Sequence, residues 1–284
     1  MDGITGIDLD VRPLAGALGA EVLGCDLRAL DEAGFAAVHR AFLDHQVLVF
    51  RDQDLDPEAY VQVARRFGDP VEYPFAKGIE GHPEITMIVK EAHQTSNFGG
   101  MWHSDTTYKP EPPKATMLLC RETPEAGGDT IFACQYKAHD ALSDGMQALL
   151  SGLKGVSSSA KNASALRTTH LATGTMQGTG RDDTLTAAHP IVRTHPETGR
   201  NALYVNRSHT TQVEGWTEAE SAGMLDFLFQ HQIQPEFTAR VRWSPGTVVI
   251  WDNRSSQHCA INDYDGHRRE MWRITLAGDA PRGV

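Results

Sequence analysis

The chain is poor in the features that stabilise secreted or membrane-bound proteins. Its four cysteines (Cys25, Cys120, Cys134, Cys259) show no Cys-x-x-Cys spacing. No apolar run approaches the length needed to span a bilayer, and the opening Met1-Asp2-Gly3-Ile4 is acidic and polar, unlike an export signal. The expectation is a soluble, cytoplasmic protein with reduced thiols. Basic clusters are missing as well. Lys and Arg number 26 against 37 Asp and Glu, a formal charge of −11 and a pI near 5.6, which argues against a nucleic-acid surface and offers nothing to a membrane. An anionic ligand must therefore be held by individual arginines rather than by the overall field. Nor is there a linker-like break in composition, so residues 1–284 read as a single domain, long enough to bury a sizeable core. A homo-oligomer, dimer or tetramer, is compatible with this composition.

What is present is a dispersed set of metal-ligand types. In the run Trp102-His103-Ser104-Asp105, an extended backbone would point His103 and Asp105 to one face and turn Ser104 away. Far downstream, Thr247-Val248-Val249-Ile250-Trp251-Asp252 reads as a buried strand bounded by Ser244-Pro245-Gly246. The chain then loops through Asn253-Arg254-Ser255-Ser256-Gln257 to His258. Two imidazoles and one carboxylate on one side of a metal leave the opposite positions open, which is the ligand set of non-heme Fe(II) oxygenases. A further strand, His267 to Leu276, places Arg269, Met271, Arg273 and Thr275 on one face by period-two counting. Two inward arginines require anionic partners. They lie roughly 13 Å apart at about 3.3 Å per residue, too far for one compact carboxylate, so two anionic ligands flanking one metal are expected.

Trp102-His103-Ser104-Asp105-Thr106, Gly127-Gly128-Asp129-Thr130, Val205-Asn206, Trp251-Asp252-Asn253-Arg254 through Gln257-His258, and Arg268-Arg269 through Arg273 resemble, in order and spacing, the taurine/2,4-dichlorophenoxyacetate dioxygenase (TauD/TfdA) family. The resemblance runs from about residue 10 to residue 280. It implies a mainly β fold with flanking helices, the double-stranded β-helix or jelly roll. It also implies an Fe(II)- and 2-oxoglutarate-dependent dioxygenase using O2. Iron would sit on His103, Asp105 and His258. The distal carboxylate of 2-oxoglutarate would meet Arg269 and the Thr130 hydroxyl, and Arg273 falls where taurine dioxygenases hold the substrate sulfonate. Tyr73, Thr106 and His209 fall around the substrate pocket. Gly99, in Asn97-Phe98-Gly99-Gly100, replaces an amide side chain that meets taurine's amine, which points to a different small organic anion: a sulfonate, alkyl sulfate, aryloxyalkanoate or similar molecule. Two other classes stay open on the residues alone: a metal-dependent hydrolase using the same triad, which would not need Arg269, and a non-catalytic jelly-roll binding protein.

The remaining elements frame this set. Residues 7–14 and 20–27 read as short strands, 32–46 as an amphipathic helix capped by Asp31, and Val47–Phe50 as a buried strand. Asp56-Pro57 starts a second helix running to Phe67. Residues 84–89 and 115–121 read as strands, 134–153 as mainly helical, and Thr217-Glu218-Ala219-Glu220 as a capping box opening a helix to about His231. Val241 to Trp243 should begin the final strands. Ser157 to Ala188 is rich in Ser, Thr, Ala, Gly and Asn, a composition that suits a lid or a disordered loop; the resemblance implies a lid over the substrate pocket. His39, His45, His82, His93, His139, His170, His189, His195, His231 and His267 carry no assigned role.

Overall fold

The computed structural model describes residues 9–161, 179 and 183–284. Its main element is an eight-stranded sheet in the order Asp10–Pro13, Ala20–Leu23, Val47–Phe50, Val248–Asp252, Ala115–Glu122, Arg269–Leu276 and Pro70–Val71, with Thr86–Lys90 also pairing to Arg269–Leu276. Every pairing is antiparallel except Ala20–Leu23 with Val47–Phe50. A three-stranded sheet, Thr238–Val241, Thr130–Cys134 and Ser256–Ala260, packs against it. This is the jelly roll that the resemblance implies.

The central strands are apolar on both faces because both faces are buried. Leu48, Phe50, Val248, Ile250, Met117, Leu119, Ile274 and Leu276 face a layer formed by helices Glu32–His45 and Pro57–Phe67, where they meet Val38, Phe42, Tyr60, Val61 and Ala64. The alternate positions, Val47, Val49, Val249, Trp251, Leu118, Cys120 and Met271, face the small sheet and pack on Phe132, Cys134, Ala239 and Val241. Each such large side chain contributes about 1.5–3 kcal/mol on burial. On this inner face the apolar pattern fails at Thr116, Arg269 and Arg273, all buried. Those failures mark the site.

The helix starts follow their caps. The Asp31 side chain accepts from Gly34 N and the Asp56 side chain from Ala59 N, with Pro57 in the first turn. Thr217 and Glu220 form the reciprocal capping box of helix Glu218–His231. The 134–153 region divides into Gln135–Asp140 and Asp144–Ser151. Several boundaries differ from the sequence reading. The 241–243 strand is instead Thr238–Val241, because its partner Thr130–Cys134 sets the register from Thr238 onwards. His258 lies within strand Ser256–Ala260 rather than at the end of a loop, since five residues there pair with Thr130–Cys134. His103 makes a single bridge, and Asp105 already lies in a turn. Of the expected lid, the ends are the antiparallel strands Lys154–Ser158 and Thr186–Pro190; residues 162–178 and 180–182 lie outside the described residues. No helix among the described residues is long and apolar enough to cross a membrane.

Candidate active site

His103 and His258 meet because their backbones do. His103 N donates to His258 O at 3.0 Å and His258 N to His103 O at 2.8 Å, and the rings stand 4.1 Å apart between centroids. This bridge brings the early motif onto the edge of the small sheet. Two residues on, Asp105 turns its Oδ1 to within 3.6 Å of His103 Nε2, and ligand atoms of His103, Asp105 and His258 all lie within 4.8 Å of one another, in a buried cluster. Ser104 points away, its hydroxyl donating to Asn253 O at 2.6 Å. The turn that follows is strained. Buried Thr106 has φ 42°, a left-handed value that β-branched residues rarely adopt.

The donor set suits a divalent metal. His103 Nδ1 lies 2.6 Å from Met101 O. A carbonyl only accepts, so Nδ1 carries the proton and the Nε2 lone pair is free to coordinate. Burial lowers the pKa of both His103 and His258, which keeps them neutral, as metal ligation requires. His258 Nδ1 is buried with no hydrogen-bond partner in the protein. Burial opposes ionisation of Asp105, but Arg273, His258 and His103 together hold its carboxyl well below the usual range.

Behind the carboxylate stands a relay that the sequence reading missed. Thr116 donates to Asp105 Oδ2 at 2.6 Å and accepts from Asn253 Nδ2 at 2.9 Å, while Asn253 Oδ1 accepts from Trp251 Nε1 at 3.0 Å. The signal was available: Thr116 is a polar residue at an inward position of an otherwise apolar strand. Thr116→Val, close in shape but without the hydroxyl, is expected to weaken divalent-metal binding 10- to 100-fold, or about that, in equilibrium dialysis with Mn(II). Unchanged affinity would show that the relay does not orient Asp105.

A cavity opens beside these ligands, walled by Ile88, Phe98, Gly99, Leu118, Met271 and Ala260 and carrying Thr130, Arg269 and Arg273. Arg269 is buried, and its Nε and Nη2 have no hydrogen-bond partner in the protein. Burial pushes this guanidinium below its ordinary pKa, with Tyr264 acting the other way. Trp243 lies beneath it, ring centroid 5.7 Å from Arg269 Cζ, and donates from Nε1 to Thr130 Oγ1 at 3.0 Å. Thr130 thus accepts from tryptophan and keeps its own proton for another acceptor. Gly128, at φ 71°, fits here because a Cβ would stand 3.2 Å from Arg269 Cδ.

Arg273 is placed differently from the simple expectation of a free anion clamp. Its Nη2 lies 2.7 Å from Asp105 Oδ1, yet that nitrogen has no aligned hydrogen bond. The contact is a close ion pair between two buried charges. Cζ of Arg273 also sits 5.1 Å from the Tyr73 ring. His209 is half-buried, 6.1 Å from His103 between ring centroids and 5.0 Å from Tyr108, and its pKa is lowered to about 3 by desolvation and by His103. Its Nδ1 lies 3.1 Å from Thr107 Oγ1, which accepts from Asn206 Nδ2 at 3.1 Å. Thr106 and Tyr73 line a second cavity with Lys109 and Pro110. The structure therefore brings His103, Asp105, His258, Thr130, Arg269 and Arg273 to one cavity, with Tyr73, Thr106 and His209 at its margins.

A jelly roll bearing two imidazoles and one carboxylate on one side of a cavity has the ligand set of mononuclear metal oxygenases. Comparison with known proteins agrees: a sequence profile of the taurine catabolism dioxygenase TauD, TfdA family matches residues 10–275, and the chain belongs to that family. It is 33% identical over 290 residues to the alpha-ketoglutarate-dependent sulfate ester dioxygenase of Pseudomonas putida, covering 98% of this chain and 92% of the relative. Identity to the (S)-phenoxypropionate/alpha-ketoglutarate-dioxygenase of Sphingobium herbicidovorans is 35% over 277 residues, covering 95% of each. The crystal structure of a taurine dioxygenase from Burkholderia xenovorans superposes with a TM-score of 0.81 at 34% identity, covering 97% of this chain and 93% of that one. The chain is a dioxygenase.

Proposed function

We propose that residues 1–284 act as one Fe(II)- and 2-oxoglutarate-dependent dioxygenase domain that hydroxylates a small organic monoanion. The observation that carries this reading is the buried Arg269 guanidinium with two unpartnered nitrogens, in the same cavity as the His103–Asp105–His258 cluster. A metal-dependent hydrolase would have no use for that cation, and a passive binding module none for the ligand cluster. When bound, iron and 2-oxoglutarate supply the chemistry: O2 is consumed, 2-oxoglutarate becomes succinate and CO2, and a substrate C–H becomes C–OH.

The protein's own task is positioning. His103, Asp105 and His258 hold the metal from one side and leave the other open. Arg269 takes the far carboxylate of 2-oxoglutarate as a bidentate partner, with the free Thr130 proton as a neutral donor beside it. Arg273 receives the substrate anion, and Tyr73, Thr106 and His209 border the rest of that molecule. A neutral His209 adds no charge, so Arg273 remains the cation that selects the substrate. The substrates for which the relatives are named, a sulfate ester and phenoxypropionate, share an anionic head on a small organic body. The four free thiols suit a reducing, cytoplasmic setting.

The test is succinate formation with Fe(II), ascorbate and 2-oxoglutarate across sulfonates, alkyl sulfates, aryloxyalkanoates and betaines. Stimulation by at least one monoanion is expected. A rate that ignores 2-oxoglutarate, or that responds only to zwitterionic betaines, would overturn the proposal.

A further inference from the structure

The same oxygen of Asp105 has two claimants. Oδ1 is the oxygen turned to the histidines, 3.6 Å from His103 Nε2, and it is also the oxygen 2.7 Å from Arg273 Nη2. Oδ2 is committed elsewhere, to the Thr116 hydroxyl. Both partners of the Asp105–Arg273 pair are buried, so neither charge is screened by water and each depends on the other. A divalent metal on Oδ1 brings two positive charges to the atom Arg273 neutralises and repels the guanidinium. An anion on Arg273 removes that competitor and leaves Oδ1 to the metal.

We infer that Arg273 is shared between the metal-ligand carboxylate and the substrate anion, so that metal and anionic substrate bind with positive coupling. This rests on the site roles proposed above and goes beyond them, because it makes the substrate-anion residue a positioning residue for Asp105. Coupling free energies are reciprocal. If the anion tightens metal binding by a given factor, the metal tightens anion binding by the same factor. The chain then takes its substrate well only once the metal is in place, and substrate occupancy in turn secures the metal. The neighbouring Tyr73 ring gives the displaced guanidinium a place to stand without leaving the cavity.

The experiment is equilibrium dialysis with Mn(II), without 2-oxoglutarate, on the full chain and on Arg273→Gln. In the wild type, pentyl sulfate or inorganic sulfate is expected to tighten Mn(II) binding by about fivefold, the low end of ordinary coupling between sites, whereas pentanol leaves it unchanged. Arg273→Gln is expected to bind Mn(II) tighter than the wild type without any anion and to lose the response to sulfate. It should also gain more thermal stability from Mn(II), because the metal relieves the carboxylate left unpaired. Equal Mn(II) affinity in the two proteins overturns the inference. If the variant does not fold, a wild-type affinity that ignores both anions overturns it as well. Absence of any Mn(II) binding would instead remove the metal assignment of His103, Asp105 and His258, and the inference with it, which separates the two failures.

Discussion

Arg269→Ala is expected to raise the 2-oxoglutarate concentration needed for half-maximal succinate formation by about two to three decades. Removing one member of a buried charge pair costs on the order of 3–5 kcal/mol, and each 1.4 kcal/mol, or about that, is a factor of ten in affinity. The magnitude is credible at this position because the guanidinium is buried and its Nε and Nη2 have no hydrogen-bond partner in the protein. Thr130→Val should act in the same direction but less, since it removes one neutral donor and leaves the cation, and a net neutral hydrogen bond is worth about 0.5–1.5 kcal/mol. Arg273→Ala should lose substrate-stimulated turnover while moving the 2-oxoglutarate requirement far less than Arg269→Ala does. Titrating 2-oxoglutarate against succinate formation, with and without substrate, separates the two arginines. Equal losses of 2-oxoglutarate affinity in both variants would place Arg273 in the cosubstrate site and remove the main support for an anionic substrate.

Much of this site was legible in the chain because strand periodicity is short and strict. Arg269 and Arg273 fall four residues apart on one strand, so period two alone puts them on one face, and burial of both follows the prediction. Helices announced themselves through caps at Asp31, Asp56 and Thr217, where one side chain satisfies backbone donors and fixes the start. The backbone around His103 was not legible. Its geometry comes from pairing with His258, a contact at a sequence separation of 155 (258 − 103) that no local pattern encodes, and the turn that starts at Asp105 contains a threonine of positive φ that propensity argues against. Trp243 gave no signal at all. Its position under Arg269 depends on where strand Thr238–Val241 ends, and the sequence reading put that end two residues late, at Trp243. Arg273 shows a further limit: periodicity identified a buried cation, but only the assembled site shows that Asp105 already stands against it.

The second large effect lies behind the candidate metal site, in residues without a place in the proposed chemistry. Asp252 is buried and its carboxylate receives four hydrogen bonds. Arg254 N and Nε reach Oδ1 at 2.8 and 2.9 Å, while Arg254 Nη2 and His195 Nε2 reach Oδ2 at 2.7 and 3.0 Å. His195 Nδ1 in turn accepts from the Glu197 and Thr198 backbones, and Arg254 Nη1 donates to Glu197 at 2.6 Å. This lattice fixes the turn between strands Val248–Asp252 and Ser256–Ala260, and so the positions of Asn253 and His258. Burial opposes the charge on Asp252, but Arg254 and His195 hold its carboxyl far below the usual range. A depressed carboxylate stabilises the fold above the unfolded-state value of about 3.9 and loses that contribution as pH falls below it. Arg254→Leu is therefore expected to cost on the order of 3–5 kcal/mol at neutral pH, on the order of 10 °C in midpoint for a chain of this size, and to weaken Mn(II) binding through the displaced turn. Replacing both partners, Asp252→Leu with Arg254→Leu, should destabilise less than the sum of the two single changes, because no buried charge is left alone. Thermal melts at pH 7 and pH 4 decide the matter. The penalty of Arg254→Leu should shrink on acidification as the orphaned carboxylate takes up a proton, and a penalty that is small at neutral pH, or equal at both, would show that the lattice does not hold the turn.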